Sequence, residues 1–263
     1  MAPLSLAHTI EVIFDRTHVS RMWSWKSVNG ISGHVDLNAS PQVSIHCVEG
    51  LRLRRVFRAF MGLYGCKPTT PVIIKVAFTE DKRSLLQREE NVYNQYLKDL
   101  QGSFIPKCYG LFEGSFGGQK ITCLVLEYCS PENIRPVDYS RQVMTAINKI
   151  HQAGIVHQDI VHKSKHILTT SDGVRIIDFA TAQSHKCPTM PLAFVREVRH
   201  CEELVSLEYE CGFSDDTNVD GIHQRAPGPS PLPDGGLHSR FGLKPSYQKL
   251  YPELSRSHRH AHF

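Results

Sequence analysis

Apolar residues alternate with polar ones along several short runs between residues 43 and 129. The runs VSIHCVEG, RRVFRAF, PVIIKVAF, IPKCYGLFEG and ITCLVLEYC show this pattern, and turn residues such as glycine and proline separate them. Alternation with a period of two predicts β-strands that place one face against a core. The first 42 residues are mixed in character and predict no element.

Two other stretches repeat their apolar residues every three or four positions, and this spacing predicts helices. The first is LLQREENVYNQYLKDL, in which Leu85, Tyr93 and Tyr96 share one face. The second is DYSRQVMTAINKIHQAG, with Asp138 as its predicted N-cap and Gly154 as its stop. A hairpin, HILTTSDGVRIIDF, and a short helix, REVRHCEELVSLEYECG, follow in the chain.

Composition sets limits on the class of protein. The 263 residues are 41% hydrophobic and 21% charged, with a formal charge of +4, which is too weak to indicate a nucleic-acid or membrane partner. The start, MAPLSLAHTIEVIFDR, lacks the basic region of a signal peptide, and the chain lacks an apolar run long enough to span a membrane. The eight cysteines form no C-x-x-C pair. We therefore expect reduced thiols in an intracellular, cytoplasmic protein.

Lys75 and Glu89 are charged residues at positions where the predicted elements pack. Lys75 shares a strand face with Ile73 and Ala77, so burying it requires a partner, unless it lies on an edge strand and reaches water. Glu89 lies on the apolar stripe of the first helix, whereas Glu90 faces elsewhere. The two together predict an ion pair between strand and helix. The alternative is that Glu89 lies at the margin of the stripe and reaches solvent.

Two aspartates occur where elements end. Asp159 follows the second helix in the segment HQDIVHKSKHIL, and Asp178 follows the apolar strand VRII. Carboxylates at such positions are suited to hold Mg²⁺ and to face phosphate oxygens. Each is equally consistent with a carboxylate that caps a turn.

Taken in chain order, these four residues resemble the protein kinase set. VIIK stands where the strand lysine motif lies, HQD stands for HRD, DFA stands for DFG, and LVLEYC resembles the last strand and hinge. The stretches REENVY, LQGSFIPKCYGL and RIIDFATAQSHKC are similar to those of short kinase-like proteins of mushroom-forming fungi. The resemblance covers roughly residues 43 to 213.

The resemblance implies an α+β, two-lobed protein kinase-like fold. Its first lobe, residues 43–128, would be an antiparallel β-sheet with one helix, and its second lobe, residues 129–213, would be truncated and mainly helical. Residues 1–42 would form an extension of uncertain role. Residues 214–263 include APGPSPLPDGG and SRSHRHAHF, and this composition predicts disorder.

The resemblance also implies ATP and Mg²⁺ as cofactors and assigns roles. Lys75 would hold the phosphates, Glu89 would orient Lys75, Asp159 would receive the proton of the acceptor hydroxyl, and Asp178 would bind Mg²⁺. The remaining nucleotide contacts would come from the phosphate-covering loop and the adenine slot, namely Gly50, Ile73, Leu126, Glu127, Tyr128 and Cys129. The acceptor would be a protein or a small molecule.

Departures from the kinase pattern leave alternatives open. The loop over the phosphates has one glycine, Gln158 replaces the HRD arginine, Val161 replaces a lysine, and Ala180 replaces the DFG glycine. The metal-binding asparagine is replaced either by Ser164, which has the usual spacing, or by His166, which precedes the apolar pair Ile-Leu. We favour His166, although imidazole is a poorer Mg²⁺ ligand than oxygen.

Three functions are therefore compatible with the sequence. Phosphoryl transfer from ATP to a hydroxyl acceptor is favoured. A pseudokinase that binds or scaffolds without turnover is the first alternative, because the glycine loop and the asparagine are lost. A small-molecule kinase of the aminoglycoside or choline type is the second, because the substrate-holding helices of protein kinases are absent from the sequence. A zinc site at His157, His162 and His166 is disfavoured, because no cysteine has ligand spacing to them.

Overall fold

Seven strands form a closed β-barrel in the order β1-β2-β6-β7-β5-β4-β3. The computed structural model describes residues 8–15, 18–24, 41–52, 55–133, 135–161, 164–187 and 201–212. Neighbouring strands are antiparallel, except that β1 and β3 are parallel where the barrel closes. The strands are β1 Thr9–Ile13, β2 Val19–Ser24, β3 Val43–Arg52, β4 Val56–Leu63, β5 Thr70–Ala77, β6 Cys108–Phe116 and β7 Gln119–Glu127.

The prediction of a two-lobed kinase-like fold is wrong. The strands close into a barrel where an antiparallel sheet with one helix was expected, and the described residues contain only three α-helices where a mainly helical second lobe was expected. The reason lies in residues 1–42, which predicted no element from sequence. They contribute β1 and β2, and these strands pair with β3 and β6 to join the two ends of the sheet.

Alternation along the strands fills the barrel interior. On β5, Val72, Ile74 and Val76 point inward and are almost fully buried, as the sequence pattern predicts. β1 and β2 add Val12 and Met22, which are fully buried among them. Lys75, one residue out of phase, therefore belongs to the opposite, outward face of β5.

Helices and short strands cover this outward face. Helix α1, Glu80–Asn91, follows β5 and continues through a π-helical turn, Val92–Tyr96, and a 3-10 turn, Lys98–Leu100. The predicted stripe ends at that turn, because the wider turn shifts the helical register: Tyr93 is fully buried but Tyr96 is 46% exposed.

Helix α2, Pro136–Gln152, confirms the second predicted helix but not its cap. Arg135 is the N-cap, and Asp138 lies in the first turn, where its carboxylate accepts a 2.6 Å hydrogen bond from Arg135 Nε. Gly154, just after the helix, has a φ of 83°, in the left-handed region that glycine adopts at helix ends.

The segment after α2 contains two small sheets. β8, Ile155–Val156, pairs with β11, Gln183–Ser184. β9, Ile167–Thr170, pairs with β10, Gly173–Ile176, which confirms the predicted hairpin. Two 3-10 turns, Ser164–His166 and Phe179–Thr181, flank this hairpin, and helix α3, Glu202–Glu210, is the last element within the described ranges.

A second core lies between the barrel and these elements. Tyr93 of the π-helical turn, Ile147 of α2, Phe179 and Leu204 of α3 are nearly or fully buried in it. The helices in the described ranges are too short or too polar to cross a membrane. The predicted disorder of residues 214–263 concerns positions outside the described ranges.

Candidate functional site

Lys75 and Glu89 form an ion pair between β5 and α1. Lys75 Nζ lies 2.8 Å from Oε1 and 2.9 Å from Oε2 of Glu89. The Glu89 side chain is fully buried, whereas 17% of the Lys75 side chain remains exposed. The strand directs the lysine outward, and the helix that packs on that face brings the carboxylate to it.

Burial and nearby opposite charges shift the pKa of Lys75, and likewise that of Glu89, in opposite directions. Burial alone would lower the pKa of Lys75, but the negative charges of Glu89 and Asp178 outweigh it and raise that pKa. Burial raises the pKa of Glu89, and the nearby ammonium group opposes this effect. Lys75 is therefore held as a cation at neutral pH, with its charge balanced by carboxylates.

Asp178 brings a second carboxylate to the same ammonium group. Its Oδ1 lies 2.8 Å from Lys75 Nζ. Its backbone φ of 71° is in the left-handed region, which aspartate tolerates better than most residues. After this turn, the N–H of Phe179 donates to Glu89, and the Phe179 ring packs edge-on against Tyr93 with centroids 5.3 Å apart. The turn therefore fixes Asp178 between the buried pair and solvent.

The pKa of Asp178 is held well below its usual range. The contact with the His166 ring is the largest cause, burial opposes it, and the Lys75 charge lowers the pKa further. Its side chain is 34% exposed, so the carboxylate is both ionised and open to a ligand. An ionised, accessible carboxylate is what a divalent cation requires.

His166 joins the two aspartates. Its Nδ1–H donates to the backbone carbonyl of Asp159 at 2.8 Å, and its Nε2 lies 3.3 Å from Asp178 Oδ2. Because a carbonyl can only accept, the Nδ1 proton is fixed, and Nε2 is left facing Asp178. The carboxylate of Asp159 lies near the other ring nitrogen, with Oδ2 3.7 Å from His166 Nδ1.

His157 supports the loop from beneath. Its Nε2–H donates to the carbonyl of Ile177 at 3.0 Å, and its Nδ1 accepts from the N–H of Asp159 at 3.3 Å. The neutral ring makes both bonds. Burial lowers the pKa of His157, which also favours the neutral ring. The histidine thus connects the backbone before Asp178 to the backbone of Asp159.

Glu203 of α3 is a site residue that the sequence analysis missed. Its carboxylate accepts from the N–H of His157 at 3.1 Å and from the N–H of Gln158 at 2.6 Å. Gln158, the second of these two donors, has a φ of 66°, in the left-handed region. Nothing in the local pattern separates Glu203 from an ordinary acidic residue in a first helical turn. Glu90 also differs from the sequence-based expectation: it was expected to face away from the packing side of the helix, but it is buried.

The predicted adenine slot lies along β5 and β7. Ile73 and Leu126 are direct partners in the register of these strands, and Leu126 is buried. Beyond β7, the Glu127 carboxylate accepts from the N–H of Lys107 at 3.0 Å, and the Tyr128 ring lies under Arg58 at 5.1 Å. Burial raises the pKa of the Cys129 thiol to about 12, so the thiol is not a nucleophile at neutral pH.

The remaining predicted positions are less informative. Gly50 of β3 pairs with Phe57, which in turn pairs with Ile74, so the glycine lies two strands from β5 at the level of Ile74, the neighbour of Lys75. A Cβ at Gly50 would make only ordinary contact with the Phe57 ring at 3.7 Å, so its neighbours do not require glycine. The backbone of Ser164 lies in the 3-10 turn before His166, and its side chain is outside the described part of the structure. His162 is outside it as well.

The structure thus brings Lys75, Glu89, Asp159, His166 and Asp178 into one continuous set of contacts. Lys75 uses its three N–H donors on the two carboxylates, two on Glu89 and one on Asp178. An anion that replaced Asp178 at the ammonium would leave that carboxylate free to hold a cation. The arrangement can therefore bind a polyanion and a metal ion next to each other.

Part of the chain is similar in sequence to protein kinases. It is 29% identical over 137 residues to serine/threonine-protein kinase RHS3 of Arabidopsis thaliana, which covers 44% of this chain. It is 33% identical over 101 residues to cell division control protein 7 of Schizosaccharomyces pombe, and 28% identical over 119 residues to serine/threonine-protein kinase AGC1-5 of Arabidopsis thaliana, which cover 33% and 38% of the chain.

These similarities are partial on both sides. The matched part is 26% of the first relative, 9% of the second and 20% of the third. No family model matches the chain. The sequence similarity therefore supports a kinase-like class of protein and leaves the activity of the whole chain to experiment.

Proposed function

We propose that this protein binds ATP with Mg²⁺ and transfers the γ-phosphoryl group to a hydroxyl acceptor. The observation that carries the proposal is the Lys75 ammonium group, which bridges a buried carboxylate, Glu89, and an exposed one, Asp178. The partial similarity to protein kinases supports it. Similarity to the short kinase-like proteins of mushroom-forming fungi is part of the same proposal.

Lys75 would change partners when the nucleotide binds. In the structure its third donor is used by Asp178 at 2.8 Å, and this is the weaker-held partner because Asp178 is partly exposed. Phosphate oxygens would take that donor, while the buried Glu89 would keep the other two and fix the direction of the ammonium group. Such preorganised charge is how phosphoryl transfer is accelerated.

Asp178 would then hold Mg²⁺, together with an imidazole or hydroxyl ligand from His166 or Ser164. The donor set fits this role, because Asp178 is ionised and the Nε2 atom of His166 is directed at it. Bound Mg²⁺ supplies positive charge against the phosphates. Asp159 would orient the acceptor hydroxyl and accept its proton. Its backbone is held by His157 and His166 on either side of the loop.

The adenine ring would lie near the paired residues Ile73 and Leu126. Backbone groups of the segment Glu127, Tyr128 and Cys129 would contact its edge, and β3 at Gly50 would pass over the phosphates. The side chain of Ile73 would narrow this slot. These contacts are proposed from the resemblance together with the strand register.

A nucleotide-binding module without turnover is the second candidate. It is favoured by His166, which is buried beside Asp178 where a second metal would need an oxygen ligand. Both candidates require nucleotide binding, so binding is measured first, and phosphate transfer to protein and to small hydroxyl acceptors second. Transfer to a small molecule alone would identify a small-molecule kinase.

A thermal-shift titration with ATP tests the proposal, with and without Mg²⁺. Ligand at roughly 100 times its Kd adds about 2.7 kcal/mol to the free energy of unfolding, which raises the melting temperature. We expect a Mg²⁺-dependent rise in the wild type that is lost in Lys75→Met and in Asp178→Asn.

Matched controls are available in the chain. Lys82→Met removes an exposed lysine from α1, and Asp172→Asn removes an exposed carboxylate from the turn before β10. Both should keep the full rise. A folded wild type that shows no rise, or a rise that survives in Lys75→Met, would reject the nucleotide site. A rise without any phosphate transfer would favour the module without turnover.

A further inference from the structure

Four metal-binding side chains converge away from Lys75. They are His151 at the end of α2, His185 and Cys187 after β11, and Cys201 at the start of α3, and their ligand atoms lie within 4.8 Å of one another. His151 and Cys201 are buried, and the other two are half-buried. Three separate segments of the chain thus deliver two imidazoles and two thiols to one point.

The distances agree with those around a tetrahedral ion. Zinc–sulfur bonds of about 2.3 Å and zinc–nitrogen bonds of about 2.0–2.1 Å, at the tetrahedral angle, separate sulfur from nitrogen by about 3.6 Å. Cys201 Sγ lies 3.6 Å from His151 Nδ1 and 3.6 Å from His185 Nε2. The rings of the two histidines are nearly perpendicular, with an interplanar angle of 79°. Little rearrangement is needed for both imidazoles and the thiol to share one ion.

The groups behind the ligands are those of a built metal site. His151 Nε2–H donates to Glu203 at 2.7 Å, so Nδ1, the atom on the cysteine side, keeps its lone pair. A ligating imidazole held by a carboxylate in this way is typical of protein zinc sites. The Cys201 sulfur accepts from the N–H groups of Leu204 and Glu203 at the start of α3, which hold the sulfur in place. Burial raises the pKa of this thiol, so metal binding would have to displace its proton.

We propose that His151, His185, Cys187 and Cys201 bind a structural Zn²⁺ ion. Two histidines and two cysteines form one of the ligand sets of structural zinc sites. Four protein ligands complete a tetrahedron, so the ion has no open position for water and supports the fold rather than a reaction. Two thiolates also balance the charge of Zn²⁺.

The proposed ion would stabilise the loop of the candidate site through Glu203. That carboxylate accepts from His151 and from the N–H groups of His157 and Gln158, directly before Asp159. The ion would tie α2, the segment after β11 and α3 into one unit beneath this loop. The proposal of a zinc site does not rest on the proposed phosphoryl transfer, so the two are tested separately.

The test measures zinc and cobalt binding by the full chain. The tail histidines His258, His260 and His262 are first replaced by alanine, because their imidazoles would compete for added metal, and no affinity tag is used. Elemental analysis should give one zinc per chain. Replacement by Co²⁺ should give the visible bands of tetrahedral cobalt and a thiolate-to-cobalt charge-transfer band in the near ultraviolet.

Cys187→Ser and Cys201→Ser should each lose the metal and both cobalt signatures. Cys211→Ser is the matched control, since this half-buried cysteine at the end of α3 lies outside the cluster, and it should keep them. If a cysteine variant fails to fold, the parent protein decides: a chelator should lower its melting temperature, and added zinc should restore it.

Three outcomes would overturn the proposal. The first is a folded parent protein with less than about a tenth of a zinc ion per chain that does not take up Co²⁺. The second is an unchanged metal content in both cysteine variants. The third is a thiol count, after denaturation, two below the eight of the sequence, because Cys187 and Cys201 would then form a disulfide.

Discussion

At the scale of single residues, protonation of one histidine affects the whole site. The neutral ring of His157 accepts from the N–H of Asp159 and donates to the carbonyl of Ile177. A proton on Nδ1 would place N–H against N–H and break the first of these bonds. Protonation of His157 in mild acid should therefore disturb the backbone that positions Asp159 and Asp178.

Acidification should destabilise the wild type more than His157→Gln. The folded pKa of His157 is lowered by burial, whereas its unfolded pKa is about 6.5, so between these values the unfolded chain binds more protons. Stability is complete above about pH 6.5 and is lost as the pH falls toward the folded pKa. Urea unfolding at about pH 7.5 and about pH 5.5 checks this.

His157→Gln should be less stable than the wild type at the higher pH, because a buried hydrogen bond is lost, but its stability should depend less on pH. The other titrating groups are the same in both proteins. Equal losses of stability in the two proteins between these pH values would show that His157 titrates alike in both states.

At the scale of elements, α3 positions the loop that follows α2. The helix contributes one buried carboxylate, Glu203, which satisfies two backbone N–H groups at Gln158 and His157. Without Glu203 these two N–H groups would be donors without a partner, and a buried donor without a partner costs about 1–3 kcal/mol. One carboxylate on a nine-residue helix thus supports the backbone next to Asp159.

Glu203→Gln should lower the free energy of unfolding by about 1–3 kcal/mol, because an amide has only one acceptor oxygen for two N–H donors. It should also speed hydrogen exchange at the amide of Gln158. Denaturant unfolding and amide exchange measure the two effects. Glu202→Gln, at the exposed neighbouring position, is the control and should change neither. Protection at Gln158 that survives in Glu203→Gln would show that α3 does not hold the loop.

The sequence predicted those elements and residues whose neighbours in the chain define them. Strand β5 was readable from Val72, Ile74 and Val76, and Lys75 and Glu89 attracted attention because each interrupts an apolar face. Contacts between distant segments were not readable. Strands β1 and β2 are recognisable only by pairing with β3 and β6, and the closed barrel depends on that pairing.

The same limit applies to the proposed zinc ligands. His185 and Cys187 have a short spacing that could have been noticed, but His151 and Cys201 lie on other elements. The histidines close enough in sequence to suggest a metal site were those of the loop, His157, His162 and His166, and those of the tail. Glu203 was equally hidden, because an acidic residue in a first helical turn is favourable without any partner.

At the scale of the whole molecule, closure of the barrel depends on a tight contact between β2 and β6. Met22 is fully buried and pairs with Gly114. A Cβ at Gly114 would lie 2.6 Å from the carbonyl oxygen of Arg21 and 2.8 Å from Met22 Cγ, so only glycine fits opposite the methionine. The absence of a side chain at Gly114 therefore leaves the space that Met22 occupies at the seam between β2 and β6.

Met22→Ala should lower the free energy of unfolding by about 2–5 kcal/mol, because it leaves a cavity inside the barrel. Val19→Ala, on the same strand but at a position where the valine is 54% exposed, should have a small effect. Denaturant unfolding compares the two variants. A Met22→Ala protein as stable as Val19→Ala would show that β2 contributes little to the barrel in solution.

The pairing of β2 with β6 has a consequence for the order of folding during synthesis. Ser20 donates to the carbonyl of Ser115, 95 residues later in the chain, across the seam described above. Strands β1 and β2 are translated before β6, so their apolar faces stay partly uncovered until β6 has been made. Folding dominated by such distant contacts is slow, so the nascent hairpin of β1 and β2 is the segment on which a chaperone would act.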